Sequence, residues 1–268
     1  MICEAVAAHA AFEGCRLSVY AKGSYANNTN VRTDSDVDIS VQCHEVEYWG
    51  EAVPGARPPS PSYSGIWTPA KLRSELAAAL ASKFPNQVDG TGSTAFRIHS
   101  TSSRVDADVV PCFDYRYYFA GGGSRAGTKI FKASGTSLEN WPAQHLENGT
   151  EKNTATGTAF KKVVRILKRT ENAMVEAKVS KALASYLVEC LVYNCPNPIF
   201  ARSSWTDVVS GILVHVWEGL EGAEPAEESE RWLEVNRCKY LFSGAQGWTR
   251  AESRAFAKSA WNYLGYKS

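Results

Sequence analysis

Two aspartates separated by one residue, Asp36 and Asp38, are the side chains whose type and spacing best suit chemistry in this sequence. They open an alternating segment, DVDISVQC, that predicts a β-strand. Because side chains alternate between the two faces of a strand, both carboxylates point to one face. Carboxylates this close repel each other unless a cation lies between them, and their hard oxygen atoms suit Mg²⁺. The spacing therefore predicts a magnesium site.

A Gly-Ser pair upstream of these acids indicates phosphate binding. Gly23 and Ser24 follow a strand-like segment over 16–22, and such a turn offers backbone N–H groups and a hydroxyl to phosphate oxygens. A later predicted strand carries two more acids on one face, Asp106 and Asp108. Phosphoryl transfer uses metal ions, acids and a phosphate-binding turn in this combination. The joined pattern carries the prediction, because a two-acid motif alone is typical of an exposed strand edge or a turn.

The elements that must position these residues change character near the middle of the chain. Strand-like segments dominate the first half, with a helix that opens at Thr68 and Pro69. Residues 120–157 are rich in Gly, Ser, Thr and Asn and predict loops. Helical character follows over 159–178, 180–194, 205–220, 226–236 and 249–264. The pattern predicts an α+β fold, with a mixed sheet and flanking helices over 1–150 and a helical lobe over 151–268.

Composition limits the partners and the surroundings of the chain. With 29 Lys and Arg against 28 Asp and Glu, the 268 residues carry a net charge of +1, which does not favour a general nucleic-acid binder. Seven scattered Cys without a C-x-x-C pair, and five His without H-x-x-x-H spacing, indicate reduced thiols and no zinc site. No stretch approaches the roughly 20 apolar residues of a membrane helix, and the N-terminus lacks signal-peptide features. We therefore expect a cytoplasmic protein with no membrane partner.

Three motifs carry a resemblance to a known family. GSYANNTNVRTDSDVDI, residues 23–39, resembles the signature of the polymerase-β-like nucleotidyltransferases: Gly-Ser, a spacer, then two acids. ADVVPC is similar to the third-acid strand of the oligoadenylate synthase branch, which favours Asp108 over Asp106 as the third acid. AFKKVVRILKR and SYLVECLVYNCPNP resemble the helical lobe of the bacterial CD-NTases, the anti-phage signalling cyclases related to cyclic GMP–AMP synthase. The motifs look closest to clade E of that family.

This resemblance implies a bilobal enzyme with a polymerase-β-like nucleotidyltransferase core. It would condense two or more NTPs into a cyclic di- or oligonucleotide second messenger for anti-phage signalling and release pyrophosphate. Asp36 and Asp38 would bind two Mg²⁺ ions, for which Mn²⁺ can substitute, and Asp108 would complete the site. Gly23 and Ser24 would hold the donor triphosphate. The active site would lie in the cleft between the core and the helical lobe.

The resemblance also assigns nucleotide-binding roles in the second half of the chain. Lys168 matches a lysine that contacts the triphosphate, although its shared helical face with Lys161 and Arg165 also fits a solvated charged stripe. Ser185 and Tyr186 match a Ser that touches phosphate and a Tyr that stacks on a base. The structural alternative for Tyr186 is a core aromatic.

Asn153 is the candidate for base selection. In clade E an Asn near this place favours a uracil base, and an amide suits a pyrimidine edge because it both donates and accepts hydrogen bonds. UTP is accordingly expected among the substrates. The structural alternative for Asn153 is a helix cap or a turn residue. In the loop before the acids, Arg32 could also reach phosphate.

Two other functions stay open. A nucleotidyltransferase that acts on RNA, a protein or a small molecule would share the acids, and a non-catalytic nucleotide or RNA sensor would share the fold. Retention of Asp36, Asp38 and Asp108 favours an enzyme. The partners we expect are nucleoside triphosphates and no DNA, with an RNA activator left open. A downstream effector would respond to the product rather than bind the enzyme.

Overall fold

The chain divides into two units, and a short segment near the N-terminus belongs with the later one. The structure, a computed structural model, describes residues 1–31, 36–102, 104–244 and 246–266. The first unit comprises 1–26 and 32–142, and the second comprises 27–31 and 143–268. The segment 27–31 therefore leaves the first unit between the Gly-Ser pair and the paired acids.

A mixed sheet forms the centre of the first unit. Within the described residues its strands are β1 (Leu17–Ala21), β2 (Val37–Glu51), β3 (Val88–Asp89), β4 (Phe96–Ile98), β5 (Ala107–Tyr118), β6 (Ser124–Phe131) and β7 (Ser137–Asn140). The strand order is β1-β2-β5-β4-β3, while β6 pairs with both β5 and β7. The central pair, β2 and β5, is parallel, and the other pairs are antiparallel.

One face of this sheet is covered by helices, which forces alternate residues of the central strands inward. The helices are α1 (Ile2–Ala7) and α3 (Pro69–Lys83), while α2 (Gly23–Ala26) is a single turn after β1. Helix α3 begins after Thr68, whose hydroxyl accepts the N–H of Lys71 at 3.2 Å, as the Thr-Pro pair predicts. The side chain of Val109 on β5 is fully buried in this core. Its neighbour Asp108 therefore points to the opposite face.

The second unit consists mainly of helices. They are α4 (Pro142–Ala155), α5 (Ala159–Glu176), α6 (Ser185–Tyr193), α7 (Trp205–Gly219) and α8 (Arg250–Tyr263), with Pro142 itself ending the first unit. One apolar cluster joins α5, α6, α7 and α8 and includes the fully buried Phe160, Val188 and Ile212. The sheet with its helices, followed by these helices, confirms the α+β fold.

The prediction of loops over 120–157 is wrong, because this range contains β6, β7 and α4. Its small residues serve packing. A Cβ on Gly127 of β6 would lie 2.8 Å from the Asn140 carbonyl oxygen and from the Trp141 ring, so only glycine fits. On α4, Gly149 lies close to Asn27 and Val235, both residues of the same unit. The small residues of this range therefore led to a prediction of loops, although at Gly127 the small residue allows neighbouring segments to pack closely.

The predicted helix over 226–236 is also wrong. Only a 3₁₀ turn, Glu228–Glu230, forms there. The Arg231 side chain donates to the carbonyls of Pro225 and Ala226, at 2.8 and 3.0 Å. Beyond it the backbone folds back on itself through a bridge between Leu233 and Tyr240. Tertiary hydrogen bonds therefore replace the helical ones.

None of the helices in the described part of the chain has the length and apolar character needed to span a bilayer.

Candidate active site

The pairing of β2 with β5 brings two of the predicted acids side by side. Asp38 on β2 is the direct neighbour of Asp108 on β5, in a parallel register that starts with Val37 opposite Ala107. Asp36 lies immediately before β2. We call Asp36, Asp38 and Asp108 the acid row. The structure therefore brings together residues that are 70 positions apart in the sequence.

An arginine extends this row on the next strand. Arg97 on β4 is the cross-strand neighbour of Asp108. Its Nη2 lies 2.9 Å from Oδ2 and 3.0 Å from Oδ1 of Asp36, and 2.7 Å from Oδ2 of Asp106. Asp106 also accepts the backbone N–H of Ser100. Asp106 therefore anchors Arg97, while Asp108 lies beside Asp38, and the choice of Asp108 as the third acid stays a prediction.

The electrostatics of the row depend on partial burial. Burial raises the pKa of Asp38, and Asp108 and Asp36 raise it further, whereas Lys22 opposes them. Burial likewise raises the pKa of Asp108, followed by the charge of Asp36, while Arg97 lowers it. Lys22, at the end of β1, is partly buried, and this burial lowers its pKa. The pKa values of Asp38 and Asp108 are therefore both above their ordinary range, because the nearby positive charges do not offset burial and mutual repulsion.

Chemically, the acid row fits divalent metal ions. Carboxylate oxygens are the ligands that Mg²⁺ prefers, and the repulsion between the acids is what a bound cation removes. Among the described residues, no three acidic, His or Cys side chains are grouped closely enough to hold an ion, and Asp36 is paired with Arg97. Asp36, Asp38 and Asp108 are nevertheless the residues that would hold it.

Gly23 has to be glycine for two reasons. Its φ of 65° is left-handed, and an added Cβ would overlap with Oδ2 of Asp38. The Gly-Ser turn therefore packs directly on one of the predicted metal ligands. Ser24 follows within α2 and is partly buried. Arg32 lies outside the described residues.

Lys168 lies in the core of the second unit rather than on a solvated stripe. Its side chain is 3% exposed, and its Nζ lies 3.2 Å from Oε2 of Glu189, which is 2% exposed. Thr29 donates its hydroxyl to the same oxygen at 2.8 Å, and His145 Nε2 lies 2.8 Å from the other oxygen. We call Lys168, Glu189, Thr29 and His145 the buried network. Its geometry supplies Lys168 with a protein partner, and contact with a triphosphate stays a prediction.

The buried network fastens the segment 27–31 to the helices. Thr29 is fully buried, and Arg165 on α5 donates to the carbonyl oxygen of Asn28. Burial alone would raise the pKa of Glu189, but the hydrogen bond and charge of His145, the charge of Lys168 and the Thr29 hydroxyl lower it to about 2. A carboxylate stabilised this strongly is a structural centre for the segment.

The other predicted nucleotide-binding residues also lie in the second unit. Asn153, in the last turn of α4, accepts the backbone N–H of Lys161 at 3.1 Å, so its side chain caps the start of α5. The Tyr186 ring lies 5.0 Å from that of His145, and its hydroxyl donates to Glu234 at 3.3 Å. Burial raises the pKa of Tyr186. Ser185 is exposed at the start of α6.

Sequence reasoning did not identify Lys22, Arg97, Thr29 or Glu189. Lys22 precedes the Gly-Ser pair directly and could have been found by its place next to a phosphate-binding turn. Arg97 lies in a three-residue strand, and its position beside Asp108 follows only from strand register. Glu189 occurs in the apolar run LVECLVY, where a single acid predicts a buried partner.

The chain is similar to a known protein family and to several of its members. The cGAS/DncV-like nucleotidyltransferase C-terminal helical domain matches residues 147–265. A cyclic dipyrimidine nucleotide synthase, CdnE, of Legionella pneumophila is 36% identical over 256 residues, which cover 92% of this chain and 84% of the relative.

Solved structures give the same relationship. The Elizabethkingia meningoseptica CdnE cyclic dinucleotide synthase, determined with GTP and Apcpp, aligns with a TM-score of 0.81 and 30% identity, covering 99% of this chain and 91% of the other. The Rhodothermus marinus CdnE c-UMP-AMP synthase, determined with Apcpp and Upnpp, has a TM-score of 0.85 at 24% identity, covering 100% and 90%. The second comparison bears on the fold alone. The name CdnE agrees with the predicted resemblance to clade E.

A test of the Gly23 contact uses two glycines that both have positive φ. In Gly23→Ala the new methyl group displaces the Asp38 carboxylate, so we expect nucleotide incorporation to fall on the order of 100-fold. Gly122→Ala is the control, because Gly122 also has positive φ, 87°, but a Cβ there meets nothing within 4 Å. Both variants should lose about 1 kcal/mol of stability from backbone strain. Equal loss of activity in the two would show that strain alone, not the Asp38 contact, is responsible.

A second test concerns the buried network. Glu189→Gln leaves Lys168 buried without a counter-charge, so we expect about 3–5 kcal/mol of lost unfolding free energy at pH 7, measured with urea. The folded-state pKa of Glu189, about 2, lies below its ordinary value of 4.5, so its contribution is present above pH 4.5 and disappears as the pH falls towards 2.

The difference in unfolding free energy between the wild type and Glu189→Gln should therefore shrink as the pH is lowered from 4.5 towards 2. Glu151→Gln, which breaks the exposed pair of Glu151 with Arg237, is the matched control and should change stability by less than about 1 kcal/mol. A pH-independent difference for Glu189→Gln would contradict the assigned charge.

Proposed function

This chain belongs to the bacterial cGAS/DncV-like nucleotidyltransferases, the CD-NTases, and we propose that it condenses two or more nucleoside triphosphates into a cyclic di- or oligonucleotide. It is a nucleotidyltransferase. The observation that carries the proposal is the acid row on β2 and β5, with Gly23 packed against Asp38, in a chain whose relatives are named cyclic nucleotide synthases.

The proposed reaction consists of repeated transfers of one kind. A ribose hydroxyl oxygen of one nucleotide forms a bond to the α-phosphorus of another, and the bond from that phosphorus to the pyrophosphate oxygen breaks. Pyrophosphate leaves, and the hydroxyl proton passes to a base or to solvent. A second transfer within the linear product closes the ring and releases a second pyrophosphate. Phosphoryl transfer of this kind is catalysed mainly by positioning and charge stabilisation.

The residues of the chain take separate roles in this proposal. Asp36, Asp38 and Asp108 would hold two Mg²⁺ ions, or Mn²⁺, which supply charge neutralisation of the phosphates and of the attacking oxygen. Asp108 would also help to remove the hydroxyl proton. The Gly23 backbone and the Ser24 hydroxyl would hold the donor triphosphate. Ser185, Tyr186 and Lys168 would contribute phosphate and base contacts, with Lys168 first released from Glu189 or acting through it.

We also propose UTP as a substrate. The support is the Legionella pneumophila relative, which is named a cyclic dipyrimidine nucleotide synthase, together with Asn153. The Elizabethkingia meningoseptica relative, 31% identical, is named a cyclic dipurine nucleotide synthase, so base choice differs among relatives of similar identity. The Asn153 carbonyl oxygen accepts the Lys161 N–H, which leaves its NH₂ side as the group that would donate to a uracil carbonyl.

The product would act as a second messenger in anti-phage signalling, through an effector that responds to the product. DNA is not expected to stimulate the reaction, because the net charge of +1 provides no excess of cations for a phosphate backbone. Activation by RNA is left open as an alternative to activity without an activator.

The first experiment supplies α-labelled ATP, GTP, CTP and UTP singly and in pairs with Mg²⁺ or Mn²⁺. We expect a phosphatase-resistant cyclic product that contains UMP. Asp38→Asn should reduce its formation on the order of 10³-fold, since metal stabilisation contributes several kcal/mol to the transition state. The control is Asp114→Asn, because Asp114 also lies on β5 but is bonded to Gln42 and His44.

Other outcomes distinguish the alternatives. Linear, phosphatase-sensitive products or a labelled RNA, protein or small molecule would indicate a transferase with another acceptor. Unchanged activity in Asp38→Asn would refute the metal-site assignment. Absence of every product, with retained nucleotide binding and no response to added RNA, would favour the non-catalytic sensor.

Base selection is tested by Asn153→Asp. This change keeps the oxygen that caps Lys161 and removes the NH₂ donor, so folding stability should stay within about 0.5 kcal/mol of the wild type. We expect the preference for UTP over ATP to fall about tenfold, since one hydrogen bond of this kind is worth about 1 kcal/mol or more. Competition between labelled UTP and ATP measures it. An unchanged ratio would leave Asn153 as a helix cap alone.

A further inference from the structure

Arg97 occupies the position where the acid row needs positive charge. Among the residues that the structure describes, four carboxylates, Asp36, Asp38, Asp106 and Asp108, lie in this region with two cations, Lys22 and Arg97. Four negative charges against two positive ones leave an excess of two negative charges. Arg97 is the cation that directly contacts Asp36.

The two carboxylates that share Arg97 are held differently. Asp106 accepts both the Arg97 Nη2, at 2.7 Å, and the backbone N–H of Ser100, so it is fixed from two sides. Asp36 lies just before β2 and is bonded to the same Nη2 at 2.9–3.0 Å. The bond to Asp36 is therefore the one that can exchange while Arg97 stays anchored on Asp106.

We propose that Arg97 is a resident counter-ion for Asp36 that makes metal binding and triphosphate binding cooperative. This inference rests on the proposed function, since Asp36 must be a metal ligand. Before nucleotide arrives, Arg97 competes with a divalent cation for the Asp36 carboxylate. A triphosphate offers more oxygens to the guanidinium and replaces Asp36 as its partner, while Arg97 stays anchored on Asp106, and Asp36 becomes free for metal.

The exposure of Arg97 agrees with this exchange. The Arg97 side chain is 44% exposed and that of Asp36 is 36% exposed, so a phosphate can approach the guanidinium from solvent. Exposed ion pairs are weak, so the competition should change the metal dissociation constant by about three- to tenfold rather than abolish binding. Reciprocity requires the same factor in the effect of metal on nucleotide binding.

The test measures Mn²⁺ binding directly, by the loss of the free-ion signal in electron paramagnetic resonance. Titrations are made without nucleotide and with a non-hydrolysable triphosphate analogue. The wild type should bind Mn²⁺ about three- to tenfold more tightly in the presence of the analogue. Arg97→Gln should bind Mn²⁺ more tightly by that factor without nucleotide, and the analogue should add little.

Two further variants separate the geometry from the charge. Arg116→Gln removes a partly exposed arginine of β5 that is paired with Glu47 on β2 and controls for the lost charge; its titrations should match the wild type. Arg97→Lys keeps the charge without the planar fork and should show reduced coupling. Equal coupling in the wild type and both Arg97 variants overturns the inference, and thermal unfolding verifies that each variant is folded.

Asp36→Asn distinguishes this inference from the proposed function. If Asp36→Asn binds Mn²⁺ as the wild type does, Asp36 is not a metal ligand and the metal site itself is refuted. If Asp36→Asn weakens Mn²⁺ binding while Arg97→Gln leaves it unchanged with and without the analogue, the metal site stands and the role of Arg97 fails.

Discussion

Electrostatic repulsion between carboxylates on the two central strands is the constraint on which this molecule depends. The parallel pairing of β2 and β5 places Asp38 beside Asp108, and burial makes their joint ionisation costly. Two cations, Lys22 on one side and Arg97 on the other, partly offset this repulsion. This arrangement costs stability locally, and it is tolerated because the opposite face of the same strands is packed against helices. A sheet with one apolar face and one charged face can hold ligands without loss of its core.

The second unit meets a similar electrostatic cost in a different way. Glu189 is buried, but every part of its carboxylate is engaged by Lys168, Thr29 or His145, and its pKa falls instead of rising. Among the described residues, the cations near the acid row are fewer than its carboxylates, whereas in the buried network both oxygens of Glu189 are hydrogen-bonded. An uncompensated cluster can take up a cation, while a compensated one fixes structure. Carboxylate and ammonium groups therefore have different roles in the two units: in the first they form a site that can take up a cation, and in the second they stabilise the fold.

The features that could be predicted from the sequence are those that depend on local patterns. Strand alternation predicted that the acids share a face, and the Thr-Pro pair predicted the start of α3, because both depend on residues next to each other. The shift from strands to helices gave the fold class. The Gly-rich range was misjudged, since the need for glycine at position 127 comes from the close approach of Asn140 and Trp141, which are distant in the sequence. Arg97 was missed for the same reason, because its position beside the acids follows from the pairing register of β4 with β5.

The placement of residues 27–31 changes what counts as the helical domain. The matched helical domain begins at residue 147, yet the second unit takes Thr29 from the N-terminal part of the chain, and that hydroxyl completes the coordination of Glu189. A fragment cut near residue 143 would therefore lack part of its own interior. The first part of the spacer, residues 27–31, is consequently packed into the second unit and is not an ordinary surface loop. These residues therefore belong structurally to the helical unit, although in the sequence they lie inside the motif that carries the acids.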